Sequence, residues 1–194
     1  TIQLDIPIAR LEMLDPLHVQ ACNAYSKLKL PETPLLLVEF HGTSDSVRDD
    51  AARFRDICDD HSPSPFHWSN DPDERKKLWK ARHDALWAAY ALIPGATGFA
   101  TDVCVPISRL ADCIEDTIVD INAAGLTAPI IGHVGDGNFH VLPLAMPDDL
   151  DMHKKIGEFS SRLTARSLEY GGTCTGEHGI GQGKNAYLRN EMGE

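Results

Sequence analysis

Apolar residues recur along this chain with two periods, and the periods alternate. Residues 6–14, IPIARLEML, are apolar at alternate positions, the mark of a strand. A helix is expected over about 16–28, with Asp15 as N-cap and Pro16 in its first turn. LLLVEFHG (35–42) is a short apolar run closed by glycine and reads as a buried strand. Ser44 or Asp45 then caps a helix whose apolar stripe is Val47, Ala51, Phe54 and Ile57 or Cys58. PFHWS (65–69) reads as a third strand, giving β-α-β-α-β. A long helix follows from about Asp71, carrying Leu78, Arg82, Ala85, Leu86 and Ala89, and Pro94-Gly95 stops it.

The second half repeats this order of elements without repeating the sequence. TDVCVP (101–106) is a strand, and a helix runs through Leu110, Ile114, Thr117, Ile118 and Ile121 to Gly125. PIIGHV (129–134) and FHVLPL (139–144) are strands around a GDGN turn. A helix spans about Asp148 to Tyr170, and GGTCTGEHGIGQGK is a glycine-rich loop. The expected class is α+β: two split β-α-β units side by side, about 1–95 and 96–194.

Composition narrows the partners. A net charge of −11 argues against nucleic acid or an anionic membrane surface. No apolar run approaches the roughly 18 residues of a membrane helix. Five cysteines without a CxxC pair fit reduced thiols in an intracellular compartment. TIQLDIPIAR lacks the basic and apolar regions of a signal peptide, so none is expected. With no initiator Met and an end at EMGE, the chain is expected to be a fragment.

Candidate chemistry lies in three segments. In HVGDGNFH (133–140), a loop of Gly135 to Asn138 would pair Val134 with Phe139 and set His133 opposite His140. Opposed residues share a face with Cβ atoms roughly 4.5–5.5 Å apart, close enough for two imidazoles to hold one metal ion. Ordinary surface or core histidines are the competing reading. In TCTGEHGIG (173–181), Glu177 could complete a two-histidine, one-carboxylate set that leaves coordination positions open. His178, its side chain diverging from that of Glu177, could then serve as general base. A flexible glycine loop with incidental polar residues is the alternative. The third feature is Arg82 in KARHDALWAAYAL, which either clamps a carboxylate bidentately or is solvated or paired with Asp84 or Glu74. Trp68, Trp79 and Trp87 read as packing residues. Phosphate-loop and dinucleotide signatures fail: His178 and Asn185 stand where the first needs Gly and Ser/Thr, and no GxGxxG is present. No GxSxG elbow supports a serine triad.

GHVGDGNFH and GGTCTGEHGIGQGK, with ARHDALWAA and TDVCVPISRL upstream, resemble the C-terminal domain of FAD-linked oxidases over nearly the whole chain. The likeness is greatest to the cytochrome-linked D-lactate dehydrogenase branch, alongside glycolate oxidase subunits and D-2-hydroxyglutarate dehydrogenase. The resemblance implies a pair of ferredoxin-like plaits and FAD held mainly by a separate N-terminal domain, so that the isolated chain is inactive. It implies a divalent metal, Zn2+ or Mn2+, on the residues matching His133, His140 and Glu177. His178 is then the base, Arg82 holds the substrate carboxylate, and Asn138 is assigned to the cofactor. Apolar Leu86, Ala100 and Leu142 stand where the hydroxyglutarate branch holds a second carboxylate, which points to lactate or another short-chain 2-hydroxy acid. The implied activity is oxidation of a D-2-hydroxy acid to the 2-oxo acid with hydride transfer to FAD; a non-catalytic metal-binding module is the reading from another class. The implied electron acceptor is a cytochrome, quinone or electron-transfer flavoprotein. The implied site is cytoplasmic in a bacterium and mitochondrial in a eukaryote, with homodimerisation left open.

Overall fold

The computed structural model describes residues 5–61 and 66–193. Strand β1 (Arg10–Leu14) leads through Asp15 into α1 (Pro16–Ser26), whose first turn is capped by the Asp15 carboxylate accepting from His18 N. Strand β2 (Leu35–Glu39) and the amphipathic α2 (Ser44–His61) follow. The segment 66–69 is not a strand, and Pro65 lies outside the described residues. Turn chemistry claims it instead: Asp71 N donates to Ser69 Oγ, and Asp71 caps α3 (Pro72–His83).

The expected long helix breaks at Asp84 into α3 and α4 (Ala85–Tyr90). Asp84, at φ −80° and ψ 0°, is the turn residue between them, and its carboxylate is held by Lys80 and not by the backbone. Then come β3 (Thr97–Gly98), β4 (Val103–Cys104), α5 (Ile107–Ala124), β5 (Ile130–His133), β6 (Asn138–Val141), β7 (Leu144–Ala145), α6 (Leu150–Glu169) and α7 (Asn185–Met192). Gly125, at φ +66, closes α5 in the left-handed conformation that glycine adopts without strain. The two-residue strands β3 and β7 are too short to leave a period in the sequence, and α7 lies beyond the glycine-rich loop.

The class is α+β. Five strands form one antiparallel sheet in the order β2-β1-β5-β6-β4, and β3 pairs with β7 apart from it. Contact between β1 and β5 makes the sheet continuous across both halves of the chain.

Strand periodicity gives the sheet two unlike faces. On one, Leu11, Met13, Val103, Ile130, Phe139 and Val141 pack against α5 (Leu110, Cys113, Ile114) and α6 (Ile156, Phe159, Leu163). Fully burying side chains such as Phe139 and Phe159 stabilises by about 1.5–3 kcal/mol each. On the other face, Leu14, Leu35, Leu37 and Ile131 are covered by α1 and α4 through Val19, Cys22, Ala85 and Ala88. That second face also carries Glu12, His133, Asn138 and His140, by the alternation of each strand. Of the tryptophans, Trp79 takes the Arg10 guanidinium on its ring at 4.4 Å, whereas Trp68 and Trp87 are exposed and pack into no core. All five cysteines are free.

Candidate active site

The hairpin joining β5 and β6 sets the histidines. Its register places His133 opposite Asn138 and His140 opposite Ile131, so the expected pairing of Val134 with Phe139 does not form. The four-residue loop is Val134 to Gly137, one residue earlier than expected. Val134 turns into the core, and Asp136 N closes the turn on His133 O at 3.0 Å. Gly137 sits at φ +81 where a Cβ would stand 2.1 Å from Val105 O, so only glycine fits. Moving the loop back by one residue shifts every cross-strand partner by two, an even step that changes partners but not faces. His133 and His140 therefore still share a face, as diagonal neighbours, with ring centroids 5.8 Å apart and planes nearly perpendicular.

The same geometry brings in a residue the sequence reading passed over. Continuing the β1–β5 register by one residue sets Glu12 opposite His133, and Glu12 Oε1 lies 2.8 Å from His133 Nδ1. The other oxygen, Oε2, accepts from Arg82 Nε at 3.0 Å and Nη2 at 2.8 Å. Arg82 thus pairs neither with Asp84 nor with Glu74, which are held by Lys80 and His67.

A second unforeseen carboxylate shapes the glycine loop. Asp102 is fully buried, and its oxygens accept from Thr175 Oγ1, from the backbone N–H groups of Gly176, Glu177 and His178, and from Asn138 Nδ2. Burial by itself would raise its pKa. The donors outweigh burial, the His178 N–H foremost, and hold it far below the usual carboxylate range. Lys184 Nζ donates to Asp102 O at 2.7 Å, and Glu191 of α7 accepts from Cys174 N and Thr173 Oγ1. Gly176 lies so close that a Cβ would fall 1.7 Å from Asn138 Nδ2.

Held in this way, the loop delivers Glu177 to the histidines. Glu177 Oε1 lies 3.1 Å from His140 Nε2, 3.5 Å from His133 Nε2 and 3.5 Å from His178 Nε2. His133, His140 and Glu177 offer ligand atoms all within 4.8 Å of one another. His178 falls outside this set of three; with Asp102 and His140 it forms a second one. Its ring is half-exposed and stacks on His140 at 4.9 Å, so the adjacent Glu177 and His178 both reach the same imidazole. His140 Nδ1 faces Thr101 O at 3.0 Å, and burial lowers its pKa, keeping the ring neutral. Asn138 is buried beside the cluster. Its Nδ2 donates to Asp102 and to Val103 O, while its Oδ1 has no hydrogen-bond partner among the described residues.

Of the residues expected to matter, His133, His140, Glu177 and His178 come together, Arg82 joins them through Glu12, and Asn138 stands on the same face. Leu142 is buried with Ala89 and Leu144, and Leu86 and Ala100 are exposed. Glu12 carries one local sign, an acid between Leu11 and Met13 in a strand, where a charge must be paired to be buried; Asp102, after Thr101 and just before β4, carries none.

An α+β domain with a His/His/Glu cluster at the rim of its sheet is the class that fold and site define. A model of the family described as "FAD linked oxidases, C-terminal domain" matches residues 1–194, and the chain belongs to that family. It is 48% identical over 192 residues to "Probable D-lactate dehydrogenase, mitochondrial" of Danio rerio, covering 99% of this chain and 39% of that protein. With "D-lactate dehydrogenase [cytochrome], mitochondrial" of Arabidopsis thaliana it shares 37% identity over 193 residues, covering 100% of this chain and 34% of the relative. The chain thus spans well under half the length of these relatives. Among solved structures, a 4-ethylphenol oxidase from Gulosibacter chungangensis in complex with isoeugenol has the same fold, with a TM-score of 0.62 at 16% identity over 84% of this chain and 38% of that one.

Proposed function

We propose that this chain is the substrate- and metal-binding part of a flavin-dependent dehydrogenase of D-2-hydroxy acids, with D-lactate or another short-chain member as substrate. One observation carries the reading. The Nδ1 atoms of His133 and His140 face Glu12 and Thr101 O, both acceptors, and so carry the ring protons. Their Nε2 lone pairs then face Glu177 Oε1 at 3.5 and 3.1 Å, acceptor against acceptor. A cation between them turns that opposition into coordination. Ligands 2.0–2.1 Å from a tetrahedral ion stand about 3.3 Å apart, which matches these distances. The donor set suits Zn2+ or Mn2+ and leaves positions for a substrate.

When bound, the cation would supply Lewis acidity toward a 2-hydroxyl. FAD, held by parts of the longer protein, would accept the C2 hydride. The chain's own residues do the rest. Arg82 is fixed through its Nε and Nη2 and keeps its Nη1 side for the substrate carboxylate. His178, half-exposed beside the cluster, takes the hydroxyl proton at Nε2. The product is the 2-oxo acid. Electrons would pass onward to a cytochrome, the acceptor in the name of the Arabidopsis relative, in the mitochondrion if the source is eukaryotic.

Metal analysis and stopped-flow flavin reduction on the full-length protein test this. Stoichiometric divalent metal and fastest reduction by D-lactate, ahead of L-lactate, glycolate and D-2-hydroxyglutarate, are expected. Metal-free active protein would sink the metal reading, and a preference for D-2-hydroxyglutarate would sink the substrate reading.

A further inference from the structure

Glu12 is a carboxylate buried on the inner part of the sheet, 8% exposed, and it has no place in the roles given above to His133, His140, Glu177, His178 and Arg82. It reaches two of them at once. Oε1 takes His133 Nδ1 at 2.8 Å, and Oε2 takes Arg82 Nε and Nη2 at 3.0 and 2.8 Å. We propose that Glu12 is a positioning residue that couples the metal ligand His133 to the substrate clamp Arg82, so that neither binding function is independent of the other. The proposal rests on the metal and substrate reading above.

The coupling follows from donor and acceptor counts. His133 Nδ1–H and the Arg82 fork are all donors, and only a carboxylate accepts from both sides. On the His133 side, Glu12 fixes the tautomer that leaves Nε2 unprotonated toward Glu177, as an acceptor behind a metal-bound imidazole does. On the Arg82 side, it occupies one edge of the guanidinium and sets the plane in which Nη1 is offered. Because β1 and β5 are hydrogen-bonded neighbours, Glu12 is placed by the sheet itself, whereas Arg82 is brought in from α3. The carboxylate is therefore the fixed point, and His133 and Arg82 are oriented on it.

Glu12→Gln separates this from a merely structural role. The amide has one acceptor and one donor end, so it can satisfy His133 or Arg82 but not both. In the full-length protein, Zn2+ and Mn2+ affinity measured by chelator competition should fall about 10- to 100-fold, the usual size for loss of such a partner. The KM for D-lactate should rise in the metal-saturated variant, with the melting temperature close to wild type. Should Glu12→Gln fail to fold, Glu12→Asp carries the same test: it keeps the charge but withdraws both oxygens by one methylene, and both losses should be present and smaller. Wild-type protein that binds metal, beside a folded Glu12 variant with unchanged metal affinity or unchanged KM, would overturn the coupling alone. Wild-type protein that takes up neither ion would overturn the metal reading, and the coupling with it.

Discussion

Glu177 and His178 are neighbours in sequence, and both side chains approach His140, Glu177 through Oε1 at 3.1 Å and His178 by ring stacking. Their proposed roles still differ, because only Glu177 belongs to the set that includes His133. Glu177→Gln should lose metal, since a neutral amide oxygen is a weaker ligand, and added metal should restore part of its activity. His178→Ala should keep its metal and reduce flavin about 100-fold or more slowly, the usual scale of general-base catalysis, recovering as hydroxide rises. Metal content beside flavin-reduction rates against pH reads both. Metal lost from His178→Ala and kept by Glu177→Gln would reverse the assignment. The four residues of the cluster were legible in the sequence because glycines isolate them in two short motifs. The partners of Glu12 and Asp102 were not, since nothing in the local sequence says which distant donors an acid will meet.

Among the elements, the hairpin and the glycine loop depend on two glycines in different ways. Gly132 lies in β5 facing the core, and a Cβ there would stand 2.8 Å from both Phe139 Cβ and Asn138 O. Gly132→Ala should push β5 from β6 and cost about 1–3 kcal/mol of stability, as overpacking does. A Cβ at Gly176 instead meets Asn138 Nδ2 and Asp102 Oδ1, the anchor of the loop. Gly176→Ala should weaken metal binding while leaving the urea midpoint near wild type. Equal loss of stability in both variants would refute this division. The helix starting at Ser44 and those read near 16–28, 110–125 and 148–170 were found because each carries a helical period or a cap over many residues. The strand expected at 65–69 failed because Ser69 and Asp71 form a helix entry, a local competition that alternation alone does not reveal.

Over the whole molecule, the halves are joined where β1 meets β5, and a buried clasp lies at that junction. Asp15 N donates to Ile130 O, while the buried His18 faces Ile130 O through Nδ1 and Ala85 O through Nε2. Burial lowers the His18 pKa, with the two facing carbonyls offsetting part of the fall. Burial also raises the Asp15 pKa to about 6, the His18 N–H offsetting part of the rise. The protonated form is thus favoured by the fold. Its stabilisation is complete below an unfolded value near 3.8 and is lost as pH rises through about 6. Asp15→Asn keeps the cap and stays neutral, so its unfolding free energy relative to wild type should rise between about pH 4 and 7, by up to about 3 kcal/mol. Urea denaturation across that range checks it; a difference that stays constant with pH would exclude a raised Asp15.

By itself, the sequence determined the α+β class, the positions of the main helices, the family, and the placing of His133 and His140 on one face. Each of these rests on periods, caps and motifs that act over a few neighbouring residues. Tertiary structure alone decided that both halves share one sheet, that the hairpin loop lies one residue earlier, and that Arg82 is tied to His133 through Glu12. It also decided that a buried Asp102 holds the glycine loop. The ties of Glu12 to Arg82 and His133 and of Asp102 to the glycine loop join residues 70 to 121 positions apart through hydrogen bonds made only when the chain is folded, and such partners leave no local pattern to read.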